Sequence, residues 1–100
     1  MIKDIKVTND QVIVILTGSI YVGEATVLRE RLLEHVERGL RRFVIDMSDV
    51  DYIDSSGLGV LVALQKRALQ NKGGVVIKGL AGTVKELFEL TRLTKVFEIQ

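Results

Sequence analysis

Residues 54–59 read Asp-Ser-Ser-Gly-Leu-Gly, with a carboxylate ahead of two adjacent hydroxyls and glycines behind them. These residue types support several chemistries. Asp or Ser ahead of a helix caps it, because a side-chain oxygen accepts from the free N–H groups of the first turn. A serine can also be a nucleophile, part of a phosphate cradle, or an acceptor of a phosphoryl group. A cap needs one such oxygen, and Asp54, Ser55 and Ser56 supply more than one.

Nucleophilic catalysis lacks its other parts. The G-x-S-x-G elbow is absent, since Ile53 stands two before Ser55 and Asp54 two before Ser56. The sole histidine, His35, falls in the last turns of the first expected helix, where it reads as a solvent-facing or helix C-terminal residue. A dinucleotide loop would need a third glycine where Val62 stands, and there is no G-x-x-x-x-G-K-[ST]. Asp46, Asp49, Asp51 and Asp54 together with Lys78 invite an aspartyl-phosphate receiver. The neighbouring strand end, Thr17-Gly18-Ser19, offers no carboxylate until Glu24, so these aspartates read as loop and cap residues. No cofactor, no metal and no catalysis are expected.

A written mark is a further reading, and the plain cap stands open beside it. A phosphoserine in a first helical turn carries nearly two negative charges. An exposed helix N-terminus favours it by about 0.3–1 kcal/mol. The fold should therefore persist while the surface changes. A partner docking apolar groups on Gly57 and Leu58 would then have to desolvate a charge, which switches binding without a large conformational change.

The elements that position these residues follow from periodicity. Ile2 to Val7 alternates loosely as an edge strand, and Asn9-Asp10 is a turn signal. Val12 to Leu16 is a β-branched run of the kind buried on both faces, ended by Thr17-Gly18. Val22 to Arg38 switches to a helical period on Ala25, Leu28, Leu32 and Val36, with Gly39 at its C-terminal end. Phe43 to Ile45 is a strand. Ser56 to Asn71 is a helix with Leu58, Leu61, Val62, Gln65, Ala68 and Leu69 inward, and Gly73-Gly74 breaks it. Val75 to Ile77 is a strand. Thr83 to Leu90 is a short helix on Val84, Leu87 and Phe88 with Thr83 as N-cap, and Val96 to Ile99 a last strand.

The order β-β-α-β-α-β-α-β implies an α/β fold. Its sheet is mixed but mostly parallel, with an antiparallel N-terminal edge strand, and amphipathic helices cover it. Gly18–Gly23, Asp46–Gly57 and Lys78–Gly82 then emerge on one sheet edge, where sites in open α/β sheets are found.

Bulk composition narrows the class. The 100 residues suit a single domain, 1–100, and 47% hydrophobic content argues against disorder. A formal net charge of +1 supplies no field drawing the chain to nucleic acid or acidic membranes. Lys66 and Arg67 read as a solvated helix face, and no aromatic residues interleave the basic ones as DNA or RNA binding would ask. There is no cysteine, no signal-peptide pattern at the start and no bilayer-length apolar run. A soluble, cytoplasmic protein with no DNA and no membrane partner is expected.

Phe43 to Leu64 (FVIDMSDVDYIDSSGLGVLVAL) strongly resembles the STAS-domain family of bacterial anti-sigma factor antagonists. VIVILTGSI and the stretch from Gly73 to Ile99 resemble the same family, so the likeness covers nearly the whole chain. The resemblance implies a non-catalytic module that captures an anti-sigma factor with serine kinase activity. Capture frees a sigma factor, so the effect on transcription is indirect. Phosphorylation at the position of Ser56 switches capture off, and a serine phosphatase restores it. By motif position the partner-binding residues are Ser19, Tyr21, Asp54, Ser55, Gly57 and Leu58, with Gly59 at the same helix start. Many members read Gly-Glu-Leu-Asp where this chain has Gly18-Ser19-Ile20-Tyr21, so tyrosine replaces the usual acidic residue. The alternative role is a structural or regulatory STAS subunit of a stress-signalling or transporter-associated complex.

Overall fold

Alternating strands and 3.6-period helices take turns along the chain, as the sequence pattern requires. The computed structural model describes all residues, Met1–Gln100. Its elements are β1 (Ile2–Thr8), β2 (Gln11–Ile20), α1 (Val22–Glu37), β3 (Arg42–Ile53), α2 (Ser55–Gln70), β4 (Gly74–Lys78), α3 (Gly82–Leu90), a 3₁₀ turn (Leu93–Lys95) and β5 (Glu98–Ile99). Strand order follows chain order; β1 is antiparallel to β2 and every other pair is parallel. The hairpin turns at Asn9, whose φ of 59° is the left-handed conformation that Asn tolerates.

Neighbouring parallel strands joined by right-handed crossovers carry their helices to one face of the sheet. Burial follows. Val12, Val14 and Leu16 of β2, Phe43 and Ile45 of β3, and Val75 and Ile77 of β4 are buried in one cluster. The same cluster holds Leu28 and Leu32 of α1, Leu61 and Leu64 of α2, and Phe88 of α3. Ile13, Ile15, Val44 and Val76, on the alternate positions, are only half-buried. This corrects the expectation of strands buried on both faces. The β-branched runs reflect strand propensity, and the helical layer covers one side.

Two other strand boundaries differ from the sequence reading. Gly18 does not end β2: its φ of +74° carries the strand through an irregularity in pairing, and β2 continues to Ile20. β3 likewise runs on to Ile53, where loop had been expected. Opposite β2, β3 holds an extra residue between Asp46 and Asp49 and another between Val50 and Tyr52. Each such bulge shifts which side chains point inward. The inward set therefore runs Phe43, Ile45, Met47 and then Val50, Ile53, and Tyr52 is left facing out.

Smaller corrections concern the C-terminal third. Leu69 is exposed, and Leu64 takes the inward place. α3 begins at Gly82 with Ala81 as N-cap, so Thr83 lies inside the first turn and caps nothing. The last strand is only Glu98–Ile99, because the 3₁₀ turn occupies the residues before it. Gln65 is buried as expected. Its amide oxygen accepts from the Val75 N–H (2.8 Å) and its amide nitrogen donates to the Val96 carbonyl (2.6 Å), stitching α2 to β4 and to the approach to β5.

Candidate functional site

β2 and β3 end together at the pairs Ser19–Tyr52 and Ile20–Ile53. Each strand then turns directly into a helix, so α1 and α2 start side by side. Tyr21 and Asp54 are the two N-caps, both in extended backbone conformation. The Asp54 N–H donates to the Ile20 carbonyl at 3.1 Å, which joins the two junctions.

The helix starts are satisfied differently. At α2, the Asp54 carboxylate accepts from the Gly57 N–H at 3.1 Å, and the Asp54 carbonyl accepts the first intrahelical bond from Leu58 at 3.0 Å. Asp54 is thus the cap, and the hydroxyls of Ser55 and Ser56 are left out of capping. Ser55 is exposed and Ser56 half-buried, both in the first turn. At α1, Glu24 reaches back to accept from the Tyr21 N–H at 2.9 Å. That is one half of a capping box. The chain keeps a carboxylate at this helix start, three residues beyond the tyrosine.

The structure brings Ser19, Tyr21, Asp54, Ser55 and Ser56 to one edge. It also adds Tyr52, which sequence reasoning did not select. The rings of Tyr21 and Tyr52 lie 5.8 Å apart at 41°, 51% and 37% exposed, and form a small aromatic platform at the strand ends. The two single-residue bulges of β3 cancel, so Tyr52 faces outward just as alternation from Phe43, Ile45 and Met47 would place it; its pairing with Tyr21 is what the strand alone could not reveal.

Gly57 does not face out. It is buried, and a Cβ built on it would lie 2.6 Å from Ile53 Cγ1 and 3.0 Å from Ile20 Cγ2. The glycine lets α2 settle on the ends of β2 and β3, an internal reason that corrects its assignment to a partner surface. Leu58 is half-buried against the core. Gly59 is exposed, and a Cβ there would meet nothing.

The remaining candidates disperse. His35 is buried, not solvent-facing, with Nδ1 2.8 Å from the Arg31 carbonyl oxygen. It lies about 20 Å along α1 from the serines at 1.5 Å per residue, too far to serve either as a general base. Asp46 accepts from the backbone N–H (3.0 Å) and hydroxyl (2.6 Å) of Ser48 within the first β3 bulge. These two hydrogen bonds, aided by Lys78, hold the Asp46 carboxyl below the usual carboxylate range. Asp49 and Asp51 are exposed strand residues, and the acidic side chains nowhere gather into a group of metal-ligand geometry. No helix is long and apolar enough to cross a membrane.

Comparison with known proteins agrees with this architecture. The STAS domain model matches residues 3–100. The chain belongs to the STAS domain family. Among its relatives, the anti-sigma-B factor antagonist of Bacillus subtilis is 36% identical over 98 residues, covering 96% of this chain and 87% of that protein. The anti-sigma factor antagonist of Mycobacterium paratuberculosis superposes with a TM-score of 0.81 at 23% identity, covering 99% of this chain and 81% of the other. Unphosphorylated SpoIIAA gives 0.81 at 15% identity, with 97% and 86% coverage, and its phosphorylated form gives 0.79. The STAS chain described here thus shares with them a five-stranded mixed sheet and its helical layer.

Proposed function

We propose that this protein is a cytoplasmic anti-sigma factor antagonist, a non-catalytic module whose grip on its partner is governed by phosphorylation of Ser56. In this reading the partner is an anti-sigma factor that is itself a serine kinase. Unphosphorylated protein captures it, the kinase marks Ser56, and a serine phosphatase removes the mark. One observation carries the reading. Asp54 does the capping, so the Ser56 hydroxyl sits in the first turn of α2 with no structural duty. The names of the relatives support the partner class.

The mechanism follows from charge. A phosphate on Ser56 gains from the N-terminal end of α2 and leaves the helix intact. It places nearly two negative charges beside the surface formed by Ser19, Tyr21, Ser55 and Tyr52. A partner closing over that surface must desolvate them, and without a matching cation this costs binding. Tyrosine at the position where many members carry an acid changes the contact from charge to aromatic area, so the matching kinase should offer an apolar or cation–π group there.

The test pairs capture with modification. Ser56→Asp should lose capture of the host's anti-sigma kinase. Ser56→Ala should retain capture and refuse phosphate, with the mark on wild type localised by mass spectrometry to Ser56. Equal capture by Ser56→Asp and wild type would end the proposal.

A further inference from the structure

On the outer side of the helical layer, α1 and α2 leave a cleft of about 290 Å³. Its walls are aliphatic: Leu32 and Leu33 from α1, Val60, Ala63 and Leu64 from α2. Its rim is basic, formed by Arg29, Lys66 and Arg67, and no carboxylate lines it. None of the three cations is in an ion pair; the chain's only two are Lys6–Asp4 and Arg42–Asp10.

The end of α3 presents the inverse. Leu90 is 80% exposed, more than any other large hydrophobic side chain. Glu86 and Glu89 stand beside it, and the three line one shallow depression. Neither glutamate is in an ion pair. α3 is held against β3 and the 3₁₀ turn, so this end faces away from its own chain.

We propose that the α1–α2 cleft receives the end of α3 from a second copy of this chain. Leu90 enters between Leu33 and Val60, and Glu86 and Glu89 meet the Arg29, Lys66 and Arg67 rim. The occupant is a helix because the cleft walls are side chains of two helices and offer no free strand edge. An extended segment would leave its backbone N–H and C=O groups unpaired there, whereas a helix satisfies its own. The occupant is this chain because it carries both halves, apolar with apolar and acid with base. A net charge of +1 sets little general repulsion against it. The two surfaces differ, so the contact is head-to-tail and propagates into rings or short filaments. One side chain and two charges make a small contact, well below the roughly 1,000 Å² of a stable interface. The association is therefore weak and driven by concentration, and it is independent of the Ser56 reading.

Purified unphosphorylated protein, with no partner present, tests it. Amide NMR spectra and sedimentation are recorded from about 0.05 to 1 mM, the range that reads a millimolar Kd. Shifts should grow with concentration at Leu33, Ala63 and Arg67 and at Glu86–Leu90, the average mass should rise above 11.1 kDa, and about 0.5 M salt should reverse both. Leu90→Ala should abolish the rise. Lys66→Glu/Arg67→Glu alone and Glu86→Lys/Glu89→Lys alone should each stay monomeric, and an equimolar mixture of the two should associate again. All substituted residues are exposed, and an unchanged far-UV CD spectrum confirms each fold. A chain that stays monomeric throughout overturns the proposal, even if an acidic helical peptide binds the cleft. So does association that survives both reversals, or shifts confined to the open sheet face around Ile13 and Val44.

Discussion

The backbone N–H of Asp54 donates to the carbonyl of Ile20 at 3.1 Å. Through this bond the N-cap of α2 is tied to the residue before the N-cap of α1. The two helices therefore begin level, and their positive dipole ends share one patch of surface. Ser56 stands in that patch, with a cap already provided by its neighbour.

Ser56→Asp should leave the fold in place. The helix N-terminus stabilises the added carboxylate by at most about 0.3–1 kcal/mol at low ionic strength, with Asp54 nearby reducing the gain. Melting temperatures in low and high salt check this. A cooperative melt within a few degrees of wild type is expected, and a molten variant would show that the site cannot carry charge.

The cap and the mark separate by mutation. Asp54→Ala removes the acceptor for the Gly57 N–H, and the lost cap should cost about 0.5–2 kcal/mol. Ser55→Ala and Ser56→Ala should stay within about 0.5 kcal/mol of wild type. Urea denaturation distinguishes them: if either serine variant lost as much as Asp54→Ala, capping would be shared.

The glycines should respond with opposite signs. A Cβ at Gly57 meets the buried side chains of Ile53 and Ile20, so Gly57→Ala should destabilise by about 1–3 kcal/mol. Gly59 faces open space inside a helix, so Gly59→Ala should stabilise by about 0.5–1 kcal/mol. For a domain of this size 1 kcal/mol moves Tm by roughly 4–8 °C, which thermal denaturation reads easily.

Acid should act through Asp46. Its carboxyl is held below the ordinary range by the two hydrogen bonds from Ser48, so the folded chain releases this proton more readily than the unfolded one. The stability it lends is present above pH about 4, the unfolded value. It disappears as pH falls through the lower folded value. In urea titrations at pH 6, 4 and 3, Asp46→Asn should show a shallower loss of stability below pH 4 than wild type. Parallel curves would mean that the bulge does not use this charge.

Much of this molecule was written locally. Loose alternation at Ile2 to Val7 and short apolar, mostly β-branched runs further on placed the strands, and 3.6-residue periods placed the helices. The Asn9-Asp10 turn, the inward residues of α1 and the helix start after Asp54 are legible for the same reason: each depends on neighbours within a few positions. Residues 54–59 with their flanks also carried the family resemblance. Other features arise only when segments distant in the chain meet. The bulges of β3 exist relative to β2, so neither the inward turn of Val50 nor the pairing of Tyr52 with Tyr21 shows in either strand alone. Gly57 looked like surface until Ile53 and Ile20 closed over it, and His35, read as solvent-facing or helix C-terminal, sits in the last turn of α1 but is buried once that helix packs. The sequence also gave no sign that one sheet face stays open, since a β-branched run satisfies strand propensity whether or not a second layer covers it. Short-range periodicity determined the elements. Tertiary packing decided which of their residues reach the surface, because exposure is a property of what lies opposite.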